Sequence, residues 1–337
     1  MIAKGKRNLI TDVVGLTVGN AEDFTIRTGV TVVLADAPAA TAVDVRGGAP
    51  GTCDTEALDP VSLVDGVDGL VLAGGSAFGL DAVGGVRAHL QSLGRGFEIS
   101  PGSPRVPIVS GAILFDLASG GNKDWGEEPP YRRLGRAAAE QAGLDFALGN
   151  AGAGLGAVAG AYKGGLGSAS VVSEDGFTLG ALVAVNAVGS PLIPGTDVFW
   201  AWPFEQGGEF GGRRPGKVLP LASALPADMK GRVRAGANTT IAIVATDAAL
   251  TRIELKRLAI MAADGFARSL RPVHTPFDGD LVYAVSTGRR SLAEPRPHAV
   301  LRLGTLAADT MARAIARGVF EAATLGDFVS YRDKFAK

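Results

Sequence analysis

One stretch in the middle of the chain, residues 149–167, reads GNAGAGLGAVAGAYKGGLG and contains eight glycines among nineteen residues. Glycine has no Cβ, so such a stretch can bring backbones close together and favours tight turns and thinly separated layers. The glycines follow no three-residue period, which excludes a collagen-like helix. A length of 337 residues suits one large domain or two modest ones, and 47% hydrophobic residues exclude intrinsic disorder.

Runs of β-branched and aliphatic residues alternate with alanine-rich helical runs, which predicts a layered α/β fold in a single domain over residues 1–337. Residues 189–237, with three proline-containing clusters and paired glycines, are predicted to form an exposed, mobile loop. Asp247 or Thr251 is expected to cap the helix that follows. Strands are predicted at residues 30–35, 41–45, 69–72, 168–173, 178–188, 239–246 and 281–286, and helices at residues 78–93, 131–142, 304–323 and up to residue 268.

The charge and the cysteine count exclude several classes of function. Thirty-three Lys and Arg against 34 Asp and Glu give a net charge of −1, so we expect neither a nucleic acid nor a membrane partner. A single cysteine, Cys53, cannot form an intramolecular disulfide, and three scattered histidines (His89, His274, His298) predict no metal centre. The N-terminus has no signal-peptide pattern, and no apolar run reaches the ~18 residues of a membrane span. These features predict a cytoplasmic protein.

Two glycine motifs have structural as well as functional interpretations. The segment GGSAFG at residues 74–79 is similar to a nucleophile elbow, G-x-S-x-G, but its last glycine comes one residue late. We favour a structural interpretation, in which the glycines turn the chain and Ser76 caps a helix. The segment GLGAVA at residues 154–159 matches a dinucleotide fingerprint, with Glu174 near the position of a ribose-binding acid. A poor preceding strand and the interruption by Lys163 and two glycines argue against that function.

The motif Asp278-Gly279-Asp280 could bind a divalent cation through its paired carboxylates. Since no further acidic cluster surrounds it, a solvated turn or a supporting role beside a catalytic group is the better interpretation.

A further candidate is Asn238-Thr239, where the proline- and glycine-rich region ends at the first residue of a buried strand. A threonine hydroxyl placed there can attack the preceding carbonyl, and an N→O acyl shift followed by hydrolysis releases a new chain end. The freed α-amine has an ordinary pKa of about 7.7–8.0 and can activate the hydroxyl of its own residue. The alternative is that threonine merely starts a strand, as it often does.

Several segments together resemble one family. GLVLAGGSAFGLDA (residues 69–82), GNAGAG (149–154), KGGLGS (163–168) and NTTI (238–241) are similar, in order, to motifs of the P1 (S58) peptidase family. That family contains L-aminopeptidase D-Ala-esterases, β-peptidyl aminopeptidases and nylon-oligomer hydrolases. The resemblance implies an αββα sandwich like that of N-terminal-nucleophile hydrolases, cleavage into residues 1–238 and 239–337, and assembly into tetramers.

The Asn-Thr junction resembles the 6-aminohexanoate-oligomer endohydrolase branch, whereas the aminopeptidase branch usually cleaves at Gly-Ser. The resemblance implies an amidohydrolase that acts on a small-molecule or polymer amide without metal or organic cofactor. Lys163 would lower the pKa of the new amine or steady the oxyanion, and Asn186 would donate to the oxyanion. The implied site consists of Thr239 as nucleophile with Lys163, Asn186, Asp278 and Asp280, the two carboxylates holding the amine and Lys163 in place.

Three alternatives remain open at this stage. The first is an aminopeptidase, D-esterase or β-peptidyl aminopeptidase of the same family, which needs a pocket for a free substrate amine. The second is a nucleotide-binding protein that uses the Gly154 region. The third is an uncleaved, non-catalytic shell protein, because layers rich in Gly and Ala suit assemblies.

Overall fold

A computed structural model of the protein describes residues 2–216, 225–231, 238–292 and 294–335. Two β-sheets lie face to face, and helices cover the outer face of each. The strands are β1 (Ala3–Lys4), β2 (Leu16–Asp23), β3 (Thr28–Val45), β4 (Thr52–Cys53), β5 (Val67–Ala73), β6 (Val109–Ile113), β7 (Val158–Ala159), β8 (Tyr162–Lys163), β9 (Gly165–Val172), β10 (Thr178–Asn186), β11 (Thr239–Ala248) and β12 (Leu281–Arg290). The α-helices are α1 (Asp81–Ser92), α2 (Tyr131–Glu140), α3 (Arg252–Ala267), α4 (Arg296–Glu321) and α5 (Tyr331–Phe335).

The long strand β3 belongs to both sheets. Its first half pairs with β2 and β5, and its second half pairs with β12, which gives the order β1-β9-β10-β11-β12-β3-β5-β6-β4. The prediction of two separate strands here is therefore wrong. The backbone stays extended through the exposed residues Asp36, Ala37 and Pro38, and the pairing with β5 shifts register between Leu34 and Ala39. A proline is tolerated at this irregular point because no ladder hydrogen bond is required of it.

The core has three apolar layers: one lies between the two sheets, and one lies between each sheet and the helices that cover it. Side chains alternate along β11: Ile241 and Ile243 point between the sheets, whereas Ala242 and Val244 point towards α3 and α4. Val71 of β5 packs on the other side, against α1 and α2. The order helix, sheet, sheet, helix is the predicted αββα sandwich.

The glycine-rich stretch lies directly on a helix, as its composition predicts. A Cβ built on Gly167 in β9 would lie 2.0 Å from the carbonyl oxygen of Ala314 and 2.5 Å from the amide nitrogen of Gly318, both in α4. No side chain fits there, so glycine is required for β9 and α4 to pack at this distance.

The prediction of an exposed, mobile loop at residues 189–237 is wrong for the residues that the structure describes there. Leu192, Phe199 and Phe210 are buried, and the ring of Phe199 lies 4.6 Å from that of Tyr331, centroid to centroid. These few large apolar residues anchor a segment otherwise rich in Pro and Gly. Residues 217–224 and 232–237 of the predicted loop lie outside the described residues.

Among the helices of the described ranges, none combines the length and the apolar character that crossing a bilayer requires.

Candidate active site

Thr239 is the first residue of β11, and the strands on either side bring the other predicted site residues to it. The antiparallel register with β10 places Asn186 opposite Thr239. On the other side, Asn238 forms a parallel bridge with Asp278, just before β12 begins. The β-branched run from Thr239 onward makes this central strand, and all ten of its residues are buried. Three segments far apart in sequence therefore meet at one strand end.

The carbonyl oxygen of Asn238 receives two hydrogen bonds. The Thr239 hydroxyl donates to it, and so does the backbone N–H of Gly279, at 2.9 Å. The nucleophile predicted from the sequence thus lies against the carbonyl group that it would attack. A backbone donor on the same oxygen is the arrangement that stabilises an oxyanion.

Asp280 holds the backbone next to Thr239. Its Oδ1 accepts from the N–H of Thr240 at 2.8 Å, and its Oδ2 accepts from the backbone N–H of His274 at 3.1 Å. The Nδ1 atom of His274 also lies 2.9 Å from that Oδ2. Asp280 therefore fixes the start of β11, and His274, which the sequence analysis did not select, fixes Asp280.

Asp278 is bound in the same manner. Its Oδ1 accepts from the Val188 N–H at 3.2 Å, and its Oδ2 accepts from the Thr275 N–H at 3.0 Å and from the Thr275 hydroxyl. Burial and the neighbouring Asp280 carboxylate raise the pKa of Asp278 above its ordinary value. Within the described ranges neither carboxylate contacts Lys163, and no three His, Cys, Asp or Glu residues form a group that could hold a metal ion.

Asn186, the last residue of β10, has a fixed amide orientation. Its Oδ1 accepts from the Val158 N–H at 3.0 Å and from the Lys230 ammonium at 3.1 Å, and its Nδ2 donates to the carbonyl of Phe115 at 3.0 Å. An amide nitrogen carries two N–H groups. One N–H of Asn186 is thus available to a further acceptor beyond Phe115.

Lys163 is buried, and all its described side-chain contacts are to backbone carbonyls. Its Nζ donates to Gly154 at 2.9 Å, to Ala157 at 3.0 Å and to Gly164 at 2.8 Å. These three bonds use every donor of an ammonium group. In the hairpin of β7 and β8, Lys163 pairs with Val158, which in turn binds Asn186. Lys163 therefore shapes the glycine-rich segment beside Asn186.

The electrostatics of Lys163 follow from its burial. Loss of hydration lowers the pKa of Lys163 to about 7, although the Asp116 carboxylate acts in the opposite direction. Asp116 is itself fully buried, and burial raises its pKa. Lys163 therefore changes its charge near neutral pH.

This burial predicts a pH dependence of stability. Between about pH 7 and pH 9.5 an unfolded chain carries a proton on Lys163 that the folded chain lacks, so the free energy of unfolding should rise with pH. Lys163 contributes at most about 1.4 kcal/mol per pH unit to that slope. We expect Lys163→Met to reduce the slope, measured by urea unfolding in a Thr239→Ala background, which is expected to remain one polypeptide. The exposed Lys6 supplies the control, Lys6→Met, and an unchanged slope in Lys163→Met would contradict this account.

Lys230 is a site residue that the sequence analysis missed. It lies nine residues before Thr239, and its backbone N–H donates to the Val188 carbonyl at 3.0 Å while its ammonium reaches Asn186. Burial lowers the pKa of Lys230 to about 7, against the opposing effect of the Asp278 carboxylate. Lys230 lies between Met229 and Gly231 in a segment predicted as a loop, and nothing in that sequence distinguishes a buried lysine from a solvated one.

The remaining glycine motifs have structural roles in this fold. The backbone N–H of Gly75 donates to the buried Asp116 at 2.8 Å, and the Thr28 hydroxyl donates to the same carboxylate at 2.7 Å. The predicted helix cap by Ser76 is wrong, because Gly75 takes the N-cap position and no side chain caps this turn.

The dinucleotide alternative is not supported. A single 3₁₀ turn, Gly152–Gly154, leads into the hairpin of β7 and β8, so the motif has no helix N-terminus to bind a pyrophosphate.

Two solved structures share this architecture. A β-aminopeptidase of Burkholderia sp. has a TM-score of 0.70, with 22% identity over 98% of this chain and 92% of the other. The L-aminopeptidase D-Ala-esterase/amidase of Ochrobactrum anthropi, described as a variant of the Ntn-hydrolase fold, has a TM-score of 0.67, with 21% identity over 98% and 92%. The predicted fold class is confirmed: this is an αββα sandwich of the Ntn-hydrolase type.

The sequence defines the family within that fold. Residues 8–330 match peptidase family S58, and the chain belongs to that family. An uncharacterised aminopeptidase of Mycobacterium tuberculosis (strain ATCC 25618 / H37Rv) is 42% identical over 97% of this chain and 98% of its own length. A 6-aminohexanoate-oligomer endohydrolase of Paenarthrobacter ureafaciens is 32% identical over 84% of this chain and 76% of its own. The predicted family is confirmed, and the protein is an enzyme that hydrolyses amide bonds.

Proposed function

We propose that this enzyme is a self-processing amidohydrolase whose nucleophile is Thr239. The observation that carries the proposal is the pair of contacts at one carbonyl oxygen: both the Thr239 hydroxyl and the Gly279 N–H donate to Asn238 O. The hydroxyl oxygen attacks the Asn238 carbonyl carbon, the C–N bond breaks, and the Thr239 nitrogen takes up the hydroxyl proton. Water then hydrolyses the resulting ester, which leaves a carboxylate on Asn238 and a free α-amine on Thr239.

Turnover repeats this chemistry on a substrate amide. The free α-amine of Thr239 takes the proton of its own hydroxyl, whose oxygen attacks the substrate carbonyl carbon. The substrate C–N bond breaks, the leaving amine takes up that proton, and water then hydrolyses the acyl-enzyme to a carboxylate and the free Thr239 hydroxyl. The Gly279 N–H and the second N–H of Asn186 stabilise the oxyanion. Because only the neutral amine accepts a proton, turnover falls as the pH drops below the pKa of that amine.

The remaining site residues set the geometry and the charge. Asp280 fixes the backbone of Thr240 directly behind the nucleophile, and Asp278 fixes the neighbouring strand end at Val188. Lys163 gains its charge as the pH falls towards 7, the range in which the amine would also protonate. A positive charge at that point opposes a second one on the amine, which keeps the amine neutral and reactive.

The proposed substrates are internal amide bonds of 6-aminohexanoate oligomers or similar low-charge polyamides. Support comes from the Asn238-Thr239 junction and from the 32% identical endohydrolase. The second candidate is an aminopeptidase, D-esterase or β-peptidyl aminopeptidase activity, which the 42% identical relatives described as aminopeptidases favour.

We also propose that processed protomers form a tetramer, which light scattering would detect as four protomer masses.

Substrates with a free or an acetylated terminal amine distinguish the two candidate activities. An endohydrolase should cleave a 6-aminohexanoate trimer with an acetylated amine about as fast as the free trimer, because it reads no terminal ammonium. An aminopeptidase must pair that ammonium, and capping it should reduce kcat/KM by 10²-fold or more, on the order of a lost charged contact in a site. Product analysis by mass spectrometry of both trimers, with leucine p-nitroanilide as the aminopeptidase control, measures the ratio. Cleavage of the free-amine substrates alone would contradict the endohydrolase proposal.

A further inference from the structure

The side chain of Asn238 is completely buried and has no hydrogen-bond partner. Neither its Oδ1 nor its Nδ2 finds a donor or acceptor among the residues that the structure describes. Side chains alternate along an extended backbone, so Thr240 lies on the same side as Asn238, and in the described part of the chain its hydroxyl also makes no hydrogen bond. Buried amides in folded proteins are almost always paired, because an unpaired one loses its hydration without compensation.

The position of Asn238 next to the bond to be cleaved relates its unpaired amide to substrate binding. Asn238 is the acyl side of the first bond that Thr239 would cleave, and its carbonyl oxygen already lies at the Gly279 N–H. The ester formed during processing and the acyl-enzyme formed during turnover both join an acyl group to the Thr239 hydroxyl oxygen. We therefore expect the acyl group of the substrate to extend to the side on which Asn238 lies and to meet the same surroundings.

We propose that the space filled by the Asn238 side chain becomes the acyl-side subsite of the processed enzyme, and that it takes an uncharged aliphatic group. This inference rests on the proposed function. Among the residues that the structure describes, neither the Asn238 amide nor the Thr240 hydroxyl on the same side makes a hydrogen bond, so an acyl side chain with polar atoms loses its water there and gains no hydrogen bond in return. An alkyl group of the same shape loses no hydrogen bond and gains from burial.

The unpaired amide of Asn238 also favours self-processing. Before cleavage the covalent chain holds the amide in surroundings that do not pair it. After cleavage the new C-terminus is free to leave with its side chain, which relieves that penalty and opens the subsite to substrate.

Leucine and asparagine have the same branched shape, which provides a direct test on the unprocessed chain. In a Thr239→Ala background, Asn238→Leu should raise Tm by about 2 °C or more, because it removes an unpaired amide and adds apolar burial. The matched control is Asn186→Leu in the same background. Asn186 is also buried and has an extended backbone, but its amide is paired with Val158, Lys230 and Phe115, so this change should lower Tm. A lower Tm in the Asn238→Leu chain as well would overturn the inference.

The substrate test uses the processed wild-type enzyme. Leucyl and asparaginyl p-nitroanilides, each with a free and with an acetylated amine, place the same two side chains next to the cleaved bond. We expect kcat/KM for the leucyl compound to exceed that for the asparaginyl compound by at least about tenfold, in whichever amine form the enzyme hydrolyses. Equal rates, or a preference for asparagine, would overturn the proposed subsite.

The two tests separate the subsite from the mechanism. The Tm comparison uses chains without the Thr239 hydroxyl, so its outcome does not depend on which residue is the nucleophile. Hydrolytic activity in the Thr239→Ala chain would contradict the proposed function while leaving the Tm result valid.

Discussion

A Thr239→Ala chain is expected to remain one polypeptide of 337 residues and to have no hydrolytic activity. Alanine removes the hydroxyl that donates to the Asn238 carbonyl, so we expect that neither the acyl shift nor the later acyl-enzyme forms. Loss of a nucleophile that works as a unit with its base costs about 10⁴-fold or more in kcat. Intact-mass measurement of the wild-type protein should show fragments of residues 1–238 and 239–337, and the variant should show neither.

Two further variants make this test specific. Thr239→Ser keeps a hydroxyl and should process and turn over measurably, with reduced rates, because serine lacks the methyl group that restricts χ1. Thr246→Val, at the far end of the same strand, removes a buried hydroxyl that accepts from the Ala248 N–H, and should process normally. A wild-type protein that is fully active as a single uncleaved chain would contradict the proposed mechanism.

The parts of the fold that could be predicted from the sequence are those fixed by local patterns. The run from Thr239 is apolar and β-branched and becomes β11, and Thr251 forms a capping box with Glu254 at the start of α3. The start of α4 was placed too late, at residue 304. Proline lacks an N–H, and its tolerance in the first turn of a helix lets α4 begin at Arg296 with Pro297 inside that turn.

The residues of the candidate site could be named from the sequence where motifs or the family resemblance point to them. The contacts that depend on the three-dimensional fold could not. Thr239 and Asp280 lie in short sequence motifs, Asn186 was assigned only by the resemblance to the family, and strand pairing brings the three residues together. The three carbonyl partners of Lys163 could not be predicted, because they depend on how the glycine-rich backbone turns around it. The approach of Lys230 to Asn186 depends on packing of a segment whose sequence is typical of a loop.

Adding one methyl group at Gly279 should have the second largest effect on self-processing and turnover, after the loss of the Thr239 hydroxyl. A Cβ on this residue would lie 2.7 Å from the Thr239 hydroxyl oxygen and 2.8 Å from the carbonyl oxygen of Ala49. The second contact is with backbone, which a side-chain rotation cannot relieve. The Gly279→Ala chain must therefore move the loop that carries Asp278 and Asp280, and with it the N–H that donates to Asn238.

We expect Gly279→Ala to slow self-processing by about 10²-fold or more, the cost of losing one oxyanion donor, and to reduce turnover of the processed fraction by a similar factor. Time-resolved gel analysis after synthesis measures the first effect, and kcat per cleaved protomer measures the second. Gly143→Ala is the matched control, since a Cβ there meets nothing within 4 Å and its φ is not in the left-handed region. Both variants should fold, because Gly279 is buried in a loop at a strand end and lies outside the apolar clusters between the sheets and helices. If Gly279→Ala processes as fast as Gly143→Ala, the Gly279 N–H does not stabilise the oxyanion, and Asn186 would have to supply that stabilisation alone.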